Sequence, residues 1–364
     1  MGATTTEIRT PESLRPRKTT QRAQQFDQRD GKLHLNEIPI PSPKPNELLV
    51  KMACASLCHS DVMMFEPNDQ GLILGQNPVT LGHEGTGFVV EAGSGTTGFQ
   101  PGDKVGFLPA MDCCYECYQC KNVHNLYCKT GKVNMAGFGC NGYFQEYAIV
   151  DARAAMVLPE SLDVYASAPL FCAGVTAFHG VEDAQLEPGQ WAAIIGCGGL
   201  GHLAIAYAKA MGLKVIGIDV VDSQLEEARD QGADHVFNSM TDKDYVDKIK
   251  EITGGGVDAA INYTASKKAY DGCPAIIRPG AGKLVVVGIP LQPLTLNALD
   301  IAMGRFKIIG SNNGTNHNMR PCIEFSAKHE IKPHLTFFQL EELPKMIEMM
   351  HEGKARGRLG VRFD

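Results

Sequence analysis

The stretch from Trp191 to Asp219 constrains the fold of this chain more than any other. It begins with an apolar run typical of a strand, Trp191 to Ile195, which leads directly into the glycine-rich turn Gly196 to Gly201. Apolar residues then recur at helical spacing until Gly212, and a second strand-like run ends at Asp219. The pattern predicts a strand, a helix and a second strand, the βαβ unit that opens a parallel sheet.

The glycine-rich turn also predicts a dinucleotide site. The residues expected to form it are Gly196, Gly198, Gly199, Leu200 and Gly201. Gly196 allows the tight turn between strand and helix, Gly198 lets the backbone approach a pyrophosphate, and Gly201 lets the helix pack closely on the sheet. The free N–H groups at the start of the helix face the phosphates.

The end of the second strand indicates which dinucleotide binds. Asp219 lies where an acidic residue binds the ribose hydroxyls of the adenosine half. A 2′-phosphate at that position would meet a carboxylate, and the following Val220, Val221 and Asp222 supply no cation to neutralise it. We therefore expect NAD rather than NADP.

The uncharged run from Trp191 to Ala208 could also be interpreted as a membrane-spanning segment. Four glycines interrupt this run, so we expect no membrane span.

Composition and charge narrow the classes of function. The chain has 364 residues, 44% hydrophobic and 21% charged, as expected for about two globular domains. A formal net charge of -7 argues against nucleic acid or an anionic membrane as a partner. No signal peptide is apparent, so we expect a cytoplasmic protein whose 12 cysteines are thiols or metal ligands. A mitochondrial targeting segment is the alternative for the basic, Thr-rich N-terminus.

Four of the cysteines have the spacing of a metal site. They are Cys114, Cys117, Cys120 and Cys128. The spacing C-x2-C-x2-C-x7-C places four thiolates around one tetrahedral ion within a short loop, as in structural zinc sites. The alternatives are that these cysteines form disulfides or that their spacing is coincidental. Cys113 lies outside the pattern.

The remaining segments predict two domains and a tail. Strand-like runs alternate with helices through the second half of the chain and predict a doubly wound, six-stranded parallel sheet. Proline-punctuated runs from Lys32 onward predict an irregular β-rich domain. The expected limits are a flexible tail over 1–30, the first part of the β-rich, zinc-binding domain over 31–173, the NAD-binding domain over 174–311 and a segment over 312–364 that returns to the β-rich domain.

From about Lys32 to the C-terminus, the sequence resembles the zinc-dependent medium-chain alcohol dehydrogenases, most closely the tetrameric enzymes of fungi. The resemblance rests on CHSD, GHEGTG, the four-cysteine loop, FCAGVT, GCGGLG with GID, VGIP and the terminal GRLG, in the family's order. It implies a GroES-like catalytic domain beside a Rossmann domain, two zinc ions per chain, NAD as coenzyme, an alcohol or carbonyl substrate and a homotetramer.

The resemblance also implies the ligands of a catalytic zinc. They are Cys58, His83 and Cys172, with Glu84 behind the metal. Three ligands leave a fourth position open for an alcohol, whose pKa the metal lowers. Asp61 matches the partner that orients the ligand imidazole, and Ser60 matches the hydroxyl that accepts the alcohol proton.

Other matching positions imply contacts with the coenzyme. His59 and Arg358 fall where the family contacts the pyrophosphate, and Thr176 falls where a residue packs against the nicotinamide. Val287 and Gly288 are expected near the nicotinamide carboxamide.

The sequence departs from the fungal enzymes in the proton relay and in the substrate pocket. Met63 replaces the histidine that completes the proton relay. The stretch Phe65 to Gln76 is polar and longer, and Pro109-Ala110 replaces an aromatic residue before the cysteine loop. A larger or more polar substrate than ethanol is therefore expected. A specialised reductase of secondary metabolism and a zinc-stabilised binding protein without activity are the alternative functions.

Overall fold

Short apolar runs bounded by glycine and proline form most of the strands of the protein. The computed structural model describes residues 11–65 and 76–363. Its strands are β1 (Thr20–Asp27), β2 (Lys32–Pro39), β3 (Glu47–Leu57), β4 (Val79–Thr80), β5 (Glu84–Ala92), β6 (Lys104–Phe107), β7 (Ala110–Met111), β8 (Asn134–Met135), β9 (Tyr147–Asp151), β10 (Ala155–Val157), β11 (Trp191–Ile195), β12 (Lys214–Asp219), β13 (His235–Asn238), β14 (Ala259–Asn262), β15 (Lys283–Val286), β16 (Lys307–Gly310), β17 (Leu335–Phe338) and β18 (Arg358–Arg362).

The helices lie mainly between the later strands. They are α1 (His59–Val62), α2 (Tyr118–Asn122), α3 (Ala173–Glu182), α4 (Gly201–Ala210), α5 (Asp222–Asp230), α6 (Tyr245–Thr253), α7 (Lys267–Ile276), α8 (Ala298–Ala302), α9 (Asn316–Lys328) and α10 (Leu343–His351). Within the described ranges, none is long and apolar enough to cross a membrane.

The chain divides into two compact units. The first contains the chain through Cys172, Thr315–Ile323 and the residues from Leu335 onward, and the second contains Ala173–Gly314 and Glu324–His334. The predicted return segment includes Glu324–His334, which the structure places in the second unit. The buried Ser326 explains this difference, because its hydroxyl lies 2.8 Å from the hydroxyl of Tyr207 on α4.

The second unit contains the predicted six-stranded parallel sheet, in the order β13-β12-β11-β14-β15-β16. The sequence prediction of a Rossmann sheet is therefore confirmed. Strand order reverses at β11, which pairs with β12 on one side and β14 on the other. Doubly wound sheets bind their ligands at this switch point, beyond the carboxyl ends of the strands. The glycine-rich turn follows β11 directly and so lies there.

The first unit is β-rich, as predicted. Its seven-stranded sheet has the order β10-β6-β5-β3-β18-β17, and β9 also pairs with β3. The central strand β3 is 11 residues long and is buried along most of its length, because it pairs with β5, β9 and β18. Fully buried aromatic side chains, including Phe107, Tyr143 and Phe144, fill the core beneath it.

The predicted flexible tail is wrong for Thr20–Asp27, which forms strand β1. This strand pairs with β2 along its whole length and with β4 at its end. Its glutamines are buried because their amides have partners: Gln21 Nε2 donates to Gln145 Oε1 at 3.0 Å, and Gln24 Nε2 donates to the Leu340 carbonyl at 3.0 Å. A polar sequence thus becomes a buried strand because the amide NH2 groups of its buried glutamines find hydrogen bonds.

Candidate metal and coenzyme sites

The first unit gathers four potential metal ligands from distant parts of the sequence. One ligand atom from each of Cys58, His83, Glu84 and Cys172 lies within 4.8 Å of the other three. Pairing of β3 with β5 places Ser56 opposite Glu84, which brings the ends of these strands together. Cys172 follows a short helical turn at Ala168–Phe171. Two thiols, an imidazole and a carboxylate form a donor set suited to zinc.

Asp61 holds two of these ligands in position. It is fully buried, and its Oδ1 lies 2.8 Å from His83 Nδ1 while its Oδ2 accepts the Cys58 backbone N–H at 2.9 Å. Because Nδ1 of His83 is occupied, Nε2 is the ring nitrogen left to bind a metal. A carboxylate behind a ligand imidazole sets its tautomer and orientation.

Two polar side chains lie on α1, directly after Cys58. Ser60 is half-buried, with Oγ at 3.9 Å from the Cys58 sulfur. His59 is exposed. The structure therefore brings Ser60 beside the ligand cluster. Met63 caps the end of α1 and is half-buried.

Glu84, one of the four potential ligands, also forms a buried ion pair with Arg358. Arg358 Nη2 donates to Glu84 Oε1, and the Ser56 hydroxyl donates to Glu84 Oε2. Arg358 is only 4% exposed. Burial raises the pKa of Glu84, and the nearby Arg358 opposes that rise. The structure thus gives Arg358 a partner that was not expected, and its contact with a pyrophosphate stays a prediction.

The electrostatics of the cluster favour a thiolate at Cys58. A hydrogen bond with Cys172 lowers the pKa of Cys58 well below its ordinary value, against the effect of burial, and the nearby His83 lowers it further. The same hydrogen bond and burial raise the pKa of Cys172. Thiolates are the form in which cysteine binds metals.

The four-cysteine loop is also assembled as predicted. The sulfurs of Cys114, Cys117, Cys120 and Cys128 all lie within 4.8 Å of one another. Two backbone N–H groups point at these sulfurs, from Cys114 to Cys128 at 3.3 Å and from Cys117 to Cys114 at 3.4 Å. Burial raises the pKa of Cys128, but hydrogen bonds from Cys114 and Thr130 outweigh it and bring the pKa to about 6. Cys113 lies outside the cluster, and its sulfur contacts the Met111 carbonyl.

The glycine-rich turn has the geometry of a dinucleotide cradle. Gly196 has a φ of 84°, a conformation that favours glycine. A Cβ on Gly201 would lie 1.8 Å from the Gly196 carbonyl oxygen, so helix and strand approach too closely for a side chain. A Cβ on Gly198 would meet nothing nearer than Gln224 Oε1 at 3.8 Å. The space beside Gly198 is thus open for a ligand, and the residues fit a pyrophosphate.

Asp219 faces this turn from the end of β12. Its Oδ2 accepts the Cys197 N–H at 2.7 Å, and its Oδ1 accepts the N–H groups of Val220 and Val221 at 2.7 and 3.0 Å. Three N–H donors hold the carboxylate in place.

The predicted nicotinamide contacts also lie in the second unit. Thr176 is half-buried on α3. Val287 and Gly288 follow β15, where the N–H groups of both donate to the Asn262 carbonyl at 3.2 and 2.9 Å.

Three supporting residues were missed by the sequence analysis. Ser56 bonds Glu84, and the ring of Phe138 lies 5.1 Å from the His83 ring. His202, fully buried on α4, has Nδ1 at 3.0 Å from the Gly198 carbonyl and so supports the glycine-rich turn. Of these three, only His202 could have been identified from the sequence, because it directly follows the glycine motif. Ser56 and Phe138 reach the site only through tertiary packing.

Comparison with known proteins identifies the family. Residues 44–160 match the alcohol dehydrogenase GroES-like domain, and residues 199–328 match the zinc-binding dehydrogenase domain. The chain is 34% identical to an alcohol dehydrogenase of Geobacillus stearothermophilus over 91% of this chain and 96% of that protein. The chain therefore belongs to the zinc-binding medium-chain alcohol dehydrogenase family. It is an oxidoreductase of that family, with a catalytic zinc site, a structural four-cysteine zinc site and a nicotinamide coenzyme.

Solved structures support the fold assignment. The alcohol dehydrogenase of the archaeon Aeropyrum pernix superposes with a TM-score of 0.85 at 26% identity, covering 94% of this chain and 100% of that one. Acetophenone reductase of Geotrichum candidum, solved with NAD, superposes with a TM-score of 0.83 at 24% identity over 96% and 99%. Another structure of this fold holds NADP, so the fold alone does not decide between the two coenzymes.

Proposed function

We propose that the protein is an NAD-dependent zinc alcohol dehydrogenase that interconverts an alcohol and its aldehyde or ketone. The observation that supports this most directly is the cluster of Cys58, His83 and Cys172, with Asp61 oriented behind it. When bound there, zinc acts as a Lewis acid that lowers the pKa of an alcohol at its open position. A retired active site would not need an intact ligand set, so we favour catalysis over a purely structural role.

The remaining roles follow from position. Ser60, beside Cys58, accepts the alcohol proton. A nicotinamide coenzyme would supply or accept the hydride of the reaction, and the glycine-rich turn would hold it through its pyrophosphate. We assign Thr176, Val287 and Gly288 to the nicotinamide half, and His59 and Arg358 to the pyrophosphate.

NAD is the proposed coenzyme because of Asp219. A carboxylate held by three backbone N–H groups cannot easily turn away from a 2′-phosphate. Among Val220, Val221 and Asp222 there is no cation to offset the repulsion. The ribose hydroxyls of NAD instead donate hydrogen bonds to such a carboxylate.

The proposed substrate class rests on positions near the metal site of the first unit where the sequence departs from the fungal enzymes. Pro109 and the buried Ala110 replace an aromatic residue, which supports a substrate larger than ethanol. Most of the polar stretch from Phe65 to Gln76 lies outside the described residues. A specialised dehydrogenase or reductase acting on a larger polar substrate is therefore the second candidate function.

We also propose a homotetramer, as in the fungal enzymes, with a cytoplasmic location. Apolar side chains stay exposed after β15 and along α8, notably Ile289 at 71%, Leu299 at 65% and Met303 at 76%. The edge strand β16 beside them is largely exposed as well. Apolar surface next to a free sheet edge is suited to pairing with a second copy of the chain.

A panel of alcohols and carbonyls, followed by NADH absorbance on zinc-replete protein, tests the proposal. We expect turnover with NAD and its loss in Cys58→Ser, with Cys54→Ser as the matched control because Cys54 is buried outside the ligand cluster. Absence of turnover across the panel, with both zinc ions bound, would argue for the structural alternative.

A further inference from the structure

A cavity of about 530 Å³ lies in the first unit and is lined by basic side chains. Six of the lining residues are cations: Arg15, Arg17, Lys18, Arg22, Lys51 and Arg362. Among the described residues of the lining, the carboxylates are Glu37 and Glu146. A local excess of four positive charges is unusual in a chain whose net charge is -7.

Within the described ranges, most of these cations have no ion pair with a carboxylate. Arg22 forms ion pairs with Glu146, at 3.0 Å, and with Glu341. Among the described residues, the other cations of the cavity have no carboxylate within ion-pair distance. The Glu37 carboxylate accepts a hydrogen bond from the hydroxyl of Thr20. Like charges held together without partners repel one another, and an anion between them relieves that repulsion.

The cations come from two different parts of the fold. Arg15, Arg17 and Lys18 lie on the segment that precedes β1, whereas Lys51 lies on β3 and Arg362 on β18. The guanidinium of Arg362 is positioned 4.4 Å above the ring of Tyr165. Positive charge supplied by separate elements is suited to a ligand with more than one anionic group.

The cavity also has an apolar part and lies away from the metal ligands. Met52, Leu340 and Phe363 contribute to its lining. Lys51 lies on β3, and Cys58 directly follows the end of that strand, so about 20 Å separates them at the usual rise per residue. A volume of about 530 Å³ falls in the range of small-molecule sites.

We propose that this cavity binds a small organic molecule that carries at least two phosphate groups. The separate groups of cations bind the phosphates, and Met52, Leu340 and Phe363 contact the carbon skeleton. This ligand is additional to the coenzyme, whose pyrophosphate binds at the glycine-rich turn of the other unit. Cations that surround a concave volume favour a soluble ligand over a membrane surface.

Isothermal titration of the full-length, zinc-loaded protein with fructose 1,6-bisphosphate tests the proposal, with NADH saturating the coenzyme site. We expect one site per chain with a Kd below about 1 mM at about 0.1 M salt. The variant Arg17→Gln/Lys18→Gln should bind at least about tenfold more weakly, as should Lys51→Gln on the other element. The control Lys32→Gln/Lys104→Gln removes two exposed charges from the same unit, and its affinity should stay within about twofold.

Several results would overturn the proposal. The first is an absence of binding by the wild type, and the second is equal weakening in the pocket and control variants. Inorganic phosphate binding as tightly as the bisphosphate would refute the requirement for two groups. Binding only to vesicles that contain phosphatidylserine would assign the basic residues to a membrane surface instead. Melting temperature and turnover of Lys51→Gln, which keeps the N-terminal segment intact, distinguish lost binding from lost folding.

Discussion

Replacing Asp61 by asparagine should weaken zinc binding at one site and leave the other unchanged. Asp61 accepts two hydrogen bonds, from the Cys58 N–H at 2.9 Å and from His83 Nδ1 at 2.8 Å, and it has no exposed surface. Asparagine has one acceptor oxygen, so its NH2 group must face one of these donors. The variant therefore loses one hydrogen bond and the charge that strengthens the other.

Two independent estimates of the effect agree. A hydrogen bond to a charged group contributes about 1.5–3 kcal/mol, which corresponds to about tenfold to a hundredfold in an equilibrium constant. Removal of a partner behind a metal ligand usually lowers metal affinity by about 10- to 100-fold. We therefore expect a decrease of that size for the zinc bound by Cys58, His83 and Cys172, and a fold that stays intact.

Competition with a chromophoric chelator measures the effect. The wild type should release its two zinc ions at high chelator concentration, whereas Asp61→Asn should release one of them at a concentration about 10- to 100-fold lower. Asp27→Asn is the control, because Asp27 is a mostly buried carboxylate of the same unit that pairs with Arg29 instead. Identical release curves for Asp61→Asn and the wild type would refute the role given to Asp61.

Four further predictions concern stability, coenzyme, proton transfer and assembly. Cys117→Ser should lower the melting temperature before it affects turnover, because it opens the closed zinc loop; an unchanged melting temperature would contradict this. Asp219→Gly should narrow an NAD preference that we expect to be about a hundredfold or more in kcat/KM, and a wild type that uses both coenzymes equally would exclude the assignment. Met63→His should speed single-turnover hydride transfer by about ten- to a hundredfold near neutral pH, because a thioether takes up no proton; the same rate and pH dependence in both proteins would disprove the idea. Leu299→Lys/Met303→Lys should reduce the oligomer mass measured by light scattering, since both side chains are exposed apolar surface, and an unchanged mass would place the interface elsewhere.

The Rossmann sheet was predictable from the sequence because its signals are local. Each of its strands is a short apolar run beside a helix, and β11 and β12 end at the predicted residues, Ile195 and Asp219. The four-cysteine loop was predictable for the same reason, since its spacing lies within one short segment. Neither prediction required knowledge of contacts between distant residues.

Strand β1 and the buried ion pair of Glu84 with Arg358 could not be predicted from local sequence signals. The strand contains Gln21, Gln24 and Gln25, a composition typical of a tail, and its burial depends on partners such as Gln145 that are far away in the sequence. The ligands Cys58, His83 and Cys172 could be grouped only through the family resemblance, because isolated cysteines and histidines carry no pairing signal of their own.

The two roles of Arg358, as the partner of Glu84 and as the proposed pyrophosphate contact, are compatible with its chemistry. A guanidinium has five N–H donors in a planar fork, and Glu84 accepts from Nη2 alone. Nε of Arg358 is buried without a hydrogen-bond partner among the described residues, and an unsatisfied buried donor is unfavourable. An anion near this group would satisfy it. Arg358 can therefore neutralise the Glu84 carboxylate through Nη2 and still offer Nε to the proposed pyrophosphate contact.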